Sequence, residues 1–237
     1  MIRDKDKTHQ ALCVKLAQAY RILAKLGMDD LTYTHLSARV PGEDAFYIYP
    51  FGLLFEEVHP DLLLYVDFDG EILEGIEKQY NLTGYMIHGG VYRARTELNA
   101  VFHLHTTASI AVSANKAGLL PLNQFALHLY KRIAYLDYGS LVLNREQGDE
   151  LSANLGTHKA MLLRNHGLLT CGRTIEEAFF YTHHLEQACR VQCAASHNIE
   201  DLVLVDPETS EKACKDLLGF EKNLGVRDFE ALVRTLD

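Results

Sequence analysis

The chain has 237 residues, 48% hydrophobic and 23% charged, an ordinary globular composition with enough length to bury a sizeable core in a single domain spanning 1–237. Its formal net charge of -9 argues against a nucleic-acid partner or an anionic membrane surface. No apolar run approaches the roughly 20 residues that span a bilayer, no secretory h-region opens the sequence, and five cysteines without a C-x-x-C pair suit a reducing compartment, so a cytoplasmic location is expected.

In chain order, Thr8 to Leu26 reads as an amphipathic helix, with Leu12, Leu16, Ala19 and Leu23 on one stripe and Gly27 as its stop. Leu31 to Val40 looks extended, Pro41-Gly42 turns the chain, and Phe46 to Pro50 forms a second strand. Leu62 to Phe68 is a further strand, and Asp69-Gly70 is a hairpin signal before Glu71-Ile72-Leu73. From Gly84 to Arg95 the period changes to that of a short helix. Leu98 to His105 is an apolar strand interrupted by two histidines, and Thr106 to Gly118 a helix of small residues. Gln124 to Tyr130 reads as either a strand or a short helix, Ser140 to Leu143 as extended, and Glu146 to Leu155 as helical. Ala160 to Arg164 and Leu168 to Cys171 are strands either side of N-H-G. Thr174-Ile175-Glu176-Glu177 is a capping box that opens a long helix to about Ala195. A polar C-terminal extension begins at about residue 197, with a last helical piece from Phe229 to Leu236. Hairpins interleaved with helices predict a mainly antiparallel sheet with helices on its faces. No G-x-G-x-x-G or P-loop sequence is present, so dinucleotide and NTPase chemistry have no support.

The chain has twelve histidines, and most stand among polar or loop residues, His9, His59, His128, His158 and His197 included. His183 and His184 are neighbours on the long helix, so their side chains diverge. His103 and His105 differ, because residues two apart on a strand share a face and can converge on one point. His166, in R-N-H-G-L-L, places a third imidazole where another apolar strand meets a turn. A polar Arg-Asn-His between Met161-Leu162-Leu163 and Leu168-Leu169 costs burial unless those groups are used. Three imidazoles from two rigid elements can make a divalent-metal site with an open position, and Zn²⁺ suits the donor set.

The segments Tyr49-Pro50-Phe51-Gly52, His88 to Arg95, Ala100 to His105, Leu162 to Leu169 and Gly172 to Cys189 together make the chain resemble the class II aldolase/adducin family, collinearly over nearly its whole length. The resemblance implies a three-layer α/β/α fold around an antiparallel sheet, a homo-oligomer with tetramers favoured, and His103, His105 and His166 as ligands of a divalent metal. It also places His35, Gly52 and Thr83 beside the substrate. Two departures stand out. Gly84 falls where the aldolases of the family carry the glutamate that moves the proton, and a glycine has no such group. Thr34-His35-Leu36-Ser37 and Phe51-Gly52 replace the phosphate-binding segments, which argues against a phosphorylated sugar.

These departures make the chain look like a stand-alone bacterial-type relative of the adducin head, without adducin's long basic tail. Two functions follow. One is a metal-dependent lyase of aldolase type acting on a small hydroxy-carbonyl or sugar-derived compound, with no catalytic residue assigned. The other is a non-catalytic adducin-like scaffold or binding protein.

Overall fold

The computed structural model describes residues 7–76, 78–195 and 199–236. Eight strands form one sheet in the order β4-β3-β2-β1-β5-β8-β7-β6, all antiparallel neighbours except the parallel pair β6 and β7. The strands are β1 (His35–Ala38), β2 (Ala45–Ile48), β3 (Leu64–Asp67), β4 (Ile72–Glu74), β5 (Ala100–Leu104), β6 (Ile133–Leu136), β7 (Ala160–Leu163) and β8 (Gly167–Gly172). The helices are α1 (Lys7–Lys25), α2 (Leu82–Ala94), α3 (Thr107–Ser113), α4 (Gln124–Leu127), α5 (Arg145–Leu155), α6 (Ile175–Ala195), α7 (Pro207–Gly219) and α8 (Val226–Val233).

Alternation along the central strands sorts the helices into two layers. His35 and Ser37 of β1 bond to His88 and Tyr92 of α2, so that face carries α2 and its partner α5. The other face carries α1, α3 and α6: Tyr20 of α1 bonds the backbone of Leu36, and Thr170 of β8 bonds Thr182 of α6 at 2.5 Å. The result is the three-layer α/β/α arrangement that the resemblance implied. Between α2 and α5 the backbones nearly touch. A Cβ at Gly90 would stand 2.4 Å from the Gly148 carbonyl oxygen, so only glycine permits this approach.

Local signals account for most element ends. Asn81 caps α2, its side chain accepting from the N–H groups of Thr83 and Gly84, a contribution of about 1 kcal/mol. Thr174 Oγ1 accepts from Glu177 N–H while the Glu177 carboxylate accepts from Arg173 N–H, so the capping box of α6 reaches one residue further back than its usual form.

Several expectations are corrected. The extended stretch from Leu31 shrinks to the four residues of β1, because Leu31 sits at φ 48° in a turn that brings Asp30 round to the sheet. The helix after His105 ends at Ser113, and residues 140–143 form no strand. β6 was not anticipated, since its pairing partner lies in β7, beyond α5. Gln124–Leu127 resolves as a helix, capped by Asn123. Residues 196–198, where the polar extension was expected to begin, lie outside the described residues. Beyond them α7 and α8 pack back on the molecule, with Phe229 edge-on to Phe179 at 5.6 Å.

Candidate metal centre

Three neighbouring backbone segments deliver the histidine cluster. His103 stands on β5, opposite His35 of β1 on one side and Leu169 of β8 on the other. His105 follows just past the strand end. His166 occupies the turn between β7 and β8, which closes with Asn165 at φ 59°, a conformation Asn tolerates better than most residues. Gly167 lets that turn lie against β5, since a Cβ there would meet the Leu104 carbonyl oxygen at 2.3 Å.

The three rings turn the same atom inward. His105 Nε2 lies 3.0 Å from His103 Nε2 and 2.9 Å from His166 Nε2. Two of the opposite nitrogens are tied elsewhere. His103 Nδ1 donates to the Leu168 carbonyl at 2.9 Å, and His105 Nδ1 donates to the Asp30 carboxylate at 3.0 Å. Those bonds fix the tautomer and leave the Nε2 lone pairs of both rings facing the cluster, the outer support that histidine ligands of metals commonly have. His103 is fully buried, whereas His105 and His166 are half-buried, so the cluster has a protected floor and an open mouth.

Protonation favours the ligating form. Burial, and then the imidazoles of His35, His166 and His105, hold His103 well below the usual histidine range. His166 is pushed down to about 4 by burial and by His105. Neutral imidazoles are what a metal requires. Among the described residues, these three alone form a group of histidine, cysteine or carboxylate donors close enough to share an ion, with their ligand atoms all within 4.8 Å.

Other expected site residues distribute unevenly. His35 joins the cluster, its ring centroid 5.1 Å from that of His103. Thr83 is half-buried in the first turn of α2 and donates its hydroxyl to Asn81 Oδ1 at 2.7 Å. Gly52 lies in an exposed turn at φ 96°, with open space where its Cβ would be. That turn is linked to the stretch before α2 by the Phe51 N–H, which donates to the Gln79 carbonyl.

Three participants went unread in the sequence. Asp30 is one, because nothing local marks which of Asp29 and Asp30 faces His105. His88 is another: it bonds His35 through Nε2 and Ser37 through Nδ1. Its place in the helical H-G-G run, where the backbone approaches closely, was the available signal. Tyr138 is the third, exposed and edge-on to His166 at 6.2 Å, beside a cavity of about 100 Å³ that also touches Leu163 and Gln147.

Residues 14–193 match the profile of the class II aldolase and adducin N-terminal domain, most of the chain and every strand of the sheet. The chain belongs to the class II aldolase/adducin family. An aldolase II superfamily protein from Pseudomonas syringae has a crystal structure similar to this one with a TM-score of 0.93 and 41% identity, covering 98% of this chain and 95% of that one. The L-fuculose 1-phosphate aldolase of Glaciozyma antarctica is also similar, with a TM-score of 0.86 and 28% identity over 99% of this chain and 92% of that one. Rat alpha-adducin is 37% identical over 248 residues, which takes in 98% of this chain and 34% of the adducin. The matches thus include both an L-fuculose 1-phosphate aldolase of similar length and an adducin of which this chain covers 34%.

Proposed function

We propose that this chain is a metal-dependent lyase of aldolase type that acts on a small hydroxy-carbonyl or sugar-derived compound. The observation that carries this reading is the inward convergence of three Nε2 atoms, with two of the rings oriented by outward hydrogen bonds. His103, His105 and His166 would hold the ion, and Zn²⁺ is the candidate because imidazole nitrogens without thiolates suit it. Such an ion supplies a Lewis acid that draws charge from a carbonyl or hydroxyl oxygen during carbon–carbon cleavage.

The chain's own residues supply the rest. Asp30 and the Leu168 carbonyl orient two ligand rings. The buried floor at His103 limits water to the mouth, where the half-buried His105 and His166 stand. His35, Thr83 and the Gly52 turn are assigned to the substrate side. Exposed large hydrophobic side chains stand just before β1 (Tyr33), at the start of α2 (Leu82) and after β6 (Tyr138 and Leu141). They support a homo-oligomer, with a tetramer as the proposed state, readable by light scattering. The thiol-rich, disulfide-free chain and the want of any long apolar helix among the described residues support a cytoplasmic setting.

A second reading is favoured by one observation. Gly84 presents no side chain where the aldolase pattern has its glutamate, and the adducin similarity runs through the whole chain. On that reading the protein is a non-catalytic scaffold. Metal analysis of the purified protein, followed by a retro-aldol screen of small hydroxy-carbonyl compounds, separates the two. One zinc per chain with turnover supports the lyase. Stoichiometric zinc with no turnover across the screen favours the scaffold, and a chain that takes up no zinc on supplementation refutes the metal reading.

A further inference from the structure

His35 is fully buried yet only one of its ring nitrogens is engaged. Its Nδ1 bonds His88 Nε2 at 3.0 Å, His88 Nδ1 bonds Ser37 Oγ at 2.6 Å, and Ser37 Oγ bonds the Tyr92 hydroxyl at 2.8 Å. All four side chains are buried, so the chain of bonds is shielded from water and holds the His35 ring in one orientation. No hydrogen bond of the described residues ends on the other nitrogen, Nε2. That nitrogen is not one of the fully enclosed polar atoms that lack a partner, so it keeps a small opening through which water or a ligand reaches it.

The place this ring occupies is unusual. A Cβ at Gly84 would fall 2.7 Å from His35 Cδ2, 2.8 Å from Cγ and 3.0 Å from Nε2. Any side chain at position 84 would therefore start inside the imidazole. Gly84 has ordinary helical geometry, so its want of a side chain serves the ring and not the backbone. On its other side the ring lies against His103, with the ring centroids 5.1 Å apart.

We propose that His35 Nε2 is the hydrogen-bonding atom that meets a ligand at the open side of the three-histidine cluster, and that Gly84 is glycine to make room for it. The Tyr92–Ser37–His88 chain positions the ring. In either sense of that chain Nε2 is left with a defined role, a lone pair if His35 Nδ1 donates to His88, an N–H if His88 donates to His35. The group beside the cluster is thus an imidazole from β1 where α2 offers nothing. A ligand suited to it chelates through two oxygens and offers a hydrogen-bonding atom beyond them, as an α-hydroxy-carbonyl compound or a hydroxamate does.

The inference rests on the metal reading above, and the test keeps the two apart. Zinc per chain is measured first in the wild type, His35→Asn and His35→Gln. Asparagine places its amide near Nδ1 and can keep the bond to His88, whereas glutamine reaches the position of Nε2. Acetohydroxamate is then titrated calorimetrically into each zinc-loaded protein. With zinc retained in all three, His35→Asn should bind acetohydroxamate at least tenfold more weakly than wild type, and His35→Gln within threefold of it. Equal affinity in all three, equal loss in both variants, or loss of zinc from the variants alone overturns the proposal, the last by making His35 a mere support of the cluster. A wild type that takes no zinc overturns the metal reading and this one with it. Nitrogen-15 spectra of the wild type give a check that needs no variant to fold: the His35 Nε2 resonance should move on addition of acetohydroxamate, and a stationary resonance overturns the proposal.

Discussion

Among the described residues two histidine clusters can be compared, and only one is arranged to hold an ion. Where β5 ends and β8 begins, two of the three rings spend their Nδ1 hydrogens on partners outside the cluster, and all three Nε2 atoms meet. Between α4 and α6, His128 and His184 also spend their Nδ1 hydrogens, on the carbonyls of Gln124 and Phe180 four residues back in their own helices. There the rings pack with centroids 4.3 Å apart and planes tilted by 57°, and the His184 ring centroid lies 3.9 Å from that of Phe180. His183, its neighbour, turns toward Phe179. The same residue type and the same tautomer give a candidate ligand set in one place and an apolar packing contact in the other. What differs is the element. Strand ends and a tight turn bring side chains from distant segments to one point, whereas helix geometry sends adjacent histidines apart and uses the rest for packing.

The comparison can be broken most severely at a ligand. His166→Ala should lower zinc affinity by more than about 100-fold, beyond what loss of an outer partner costs, and dialysis against a chelator series followed by metal analysis would read it. If His166→Ala retains zinc as tightly as wild type, the cluster is not the site. Next in size is Asp30→Ala, which leaves three ligands but frees the His105 ring. A loss of about 10–100-fold in zinc affinity is expected, toward the lower end because Asp30 is partly exposed. No change would mean that the bond to Asp30 is incidental.

Gly84→Ala probes the packing beside the cluster. Its methyl would enter the His35 ring, and overpacking of this kind costs about 1–3 kcal/mol, measurable by denaturant unfolding. In a His35→Ala background the same change should cost little, so the two sites should couple in a double-mutant cycle, and simple additivity would sink the idea.

The smallest effect sharpens the contrast from the other side. Burial, with His128 next, pushes His184 down to about 4 from 6.5. The unfolded chain takes up that proton near 6.5 and the native state resists it, so this contribution to stability is complete above 6.5 and is lost as pH falls through about 4. His184→Leu should flatten part of the acid limb of the stability profile while leaving zinc stoichiometry unchanged. A loss of zinc in this variant would show that the two clusters are not independent.

How much of this was legible in the sequence varies with how local the signal is. The H-x-H spacing on β5, the N-H-G turn and the capping box of α6 are short patterns whose geometry follows from strand and helix periods, and each appears where its pattern put it. His128 stood in the sequence only as one of the histidines among polar or loop residues, and the fold alone shows that it is buried against α6, at 7% exposure. α7 went unread for the same reason, its helix resting on contacts with α4 across the fold.

Gly84 shows the limit most clearly. In the sequence it is an absence, a position with no carboxylate. In the folded protein it is a space, filled by His35 from a strand 49 positions earlier in the numbering (84 − 35). The sequence by itself determined the layered α/β class, the family, and the three candidate ligands, because periodicity and short spacings constrain the backbone directly. Only the tertiary structure decided that Asp30 orients His105, that β6 joins the sheet in parallel, and that an imidazole takes the room left at Gly84. Those contacts join residues far apart in the chain, and their pairing is set by how layers pack rather than by any local preference.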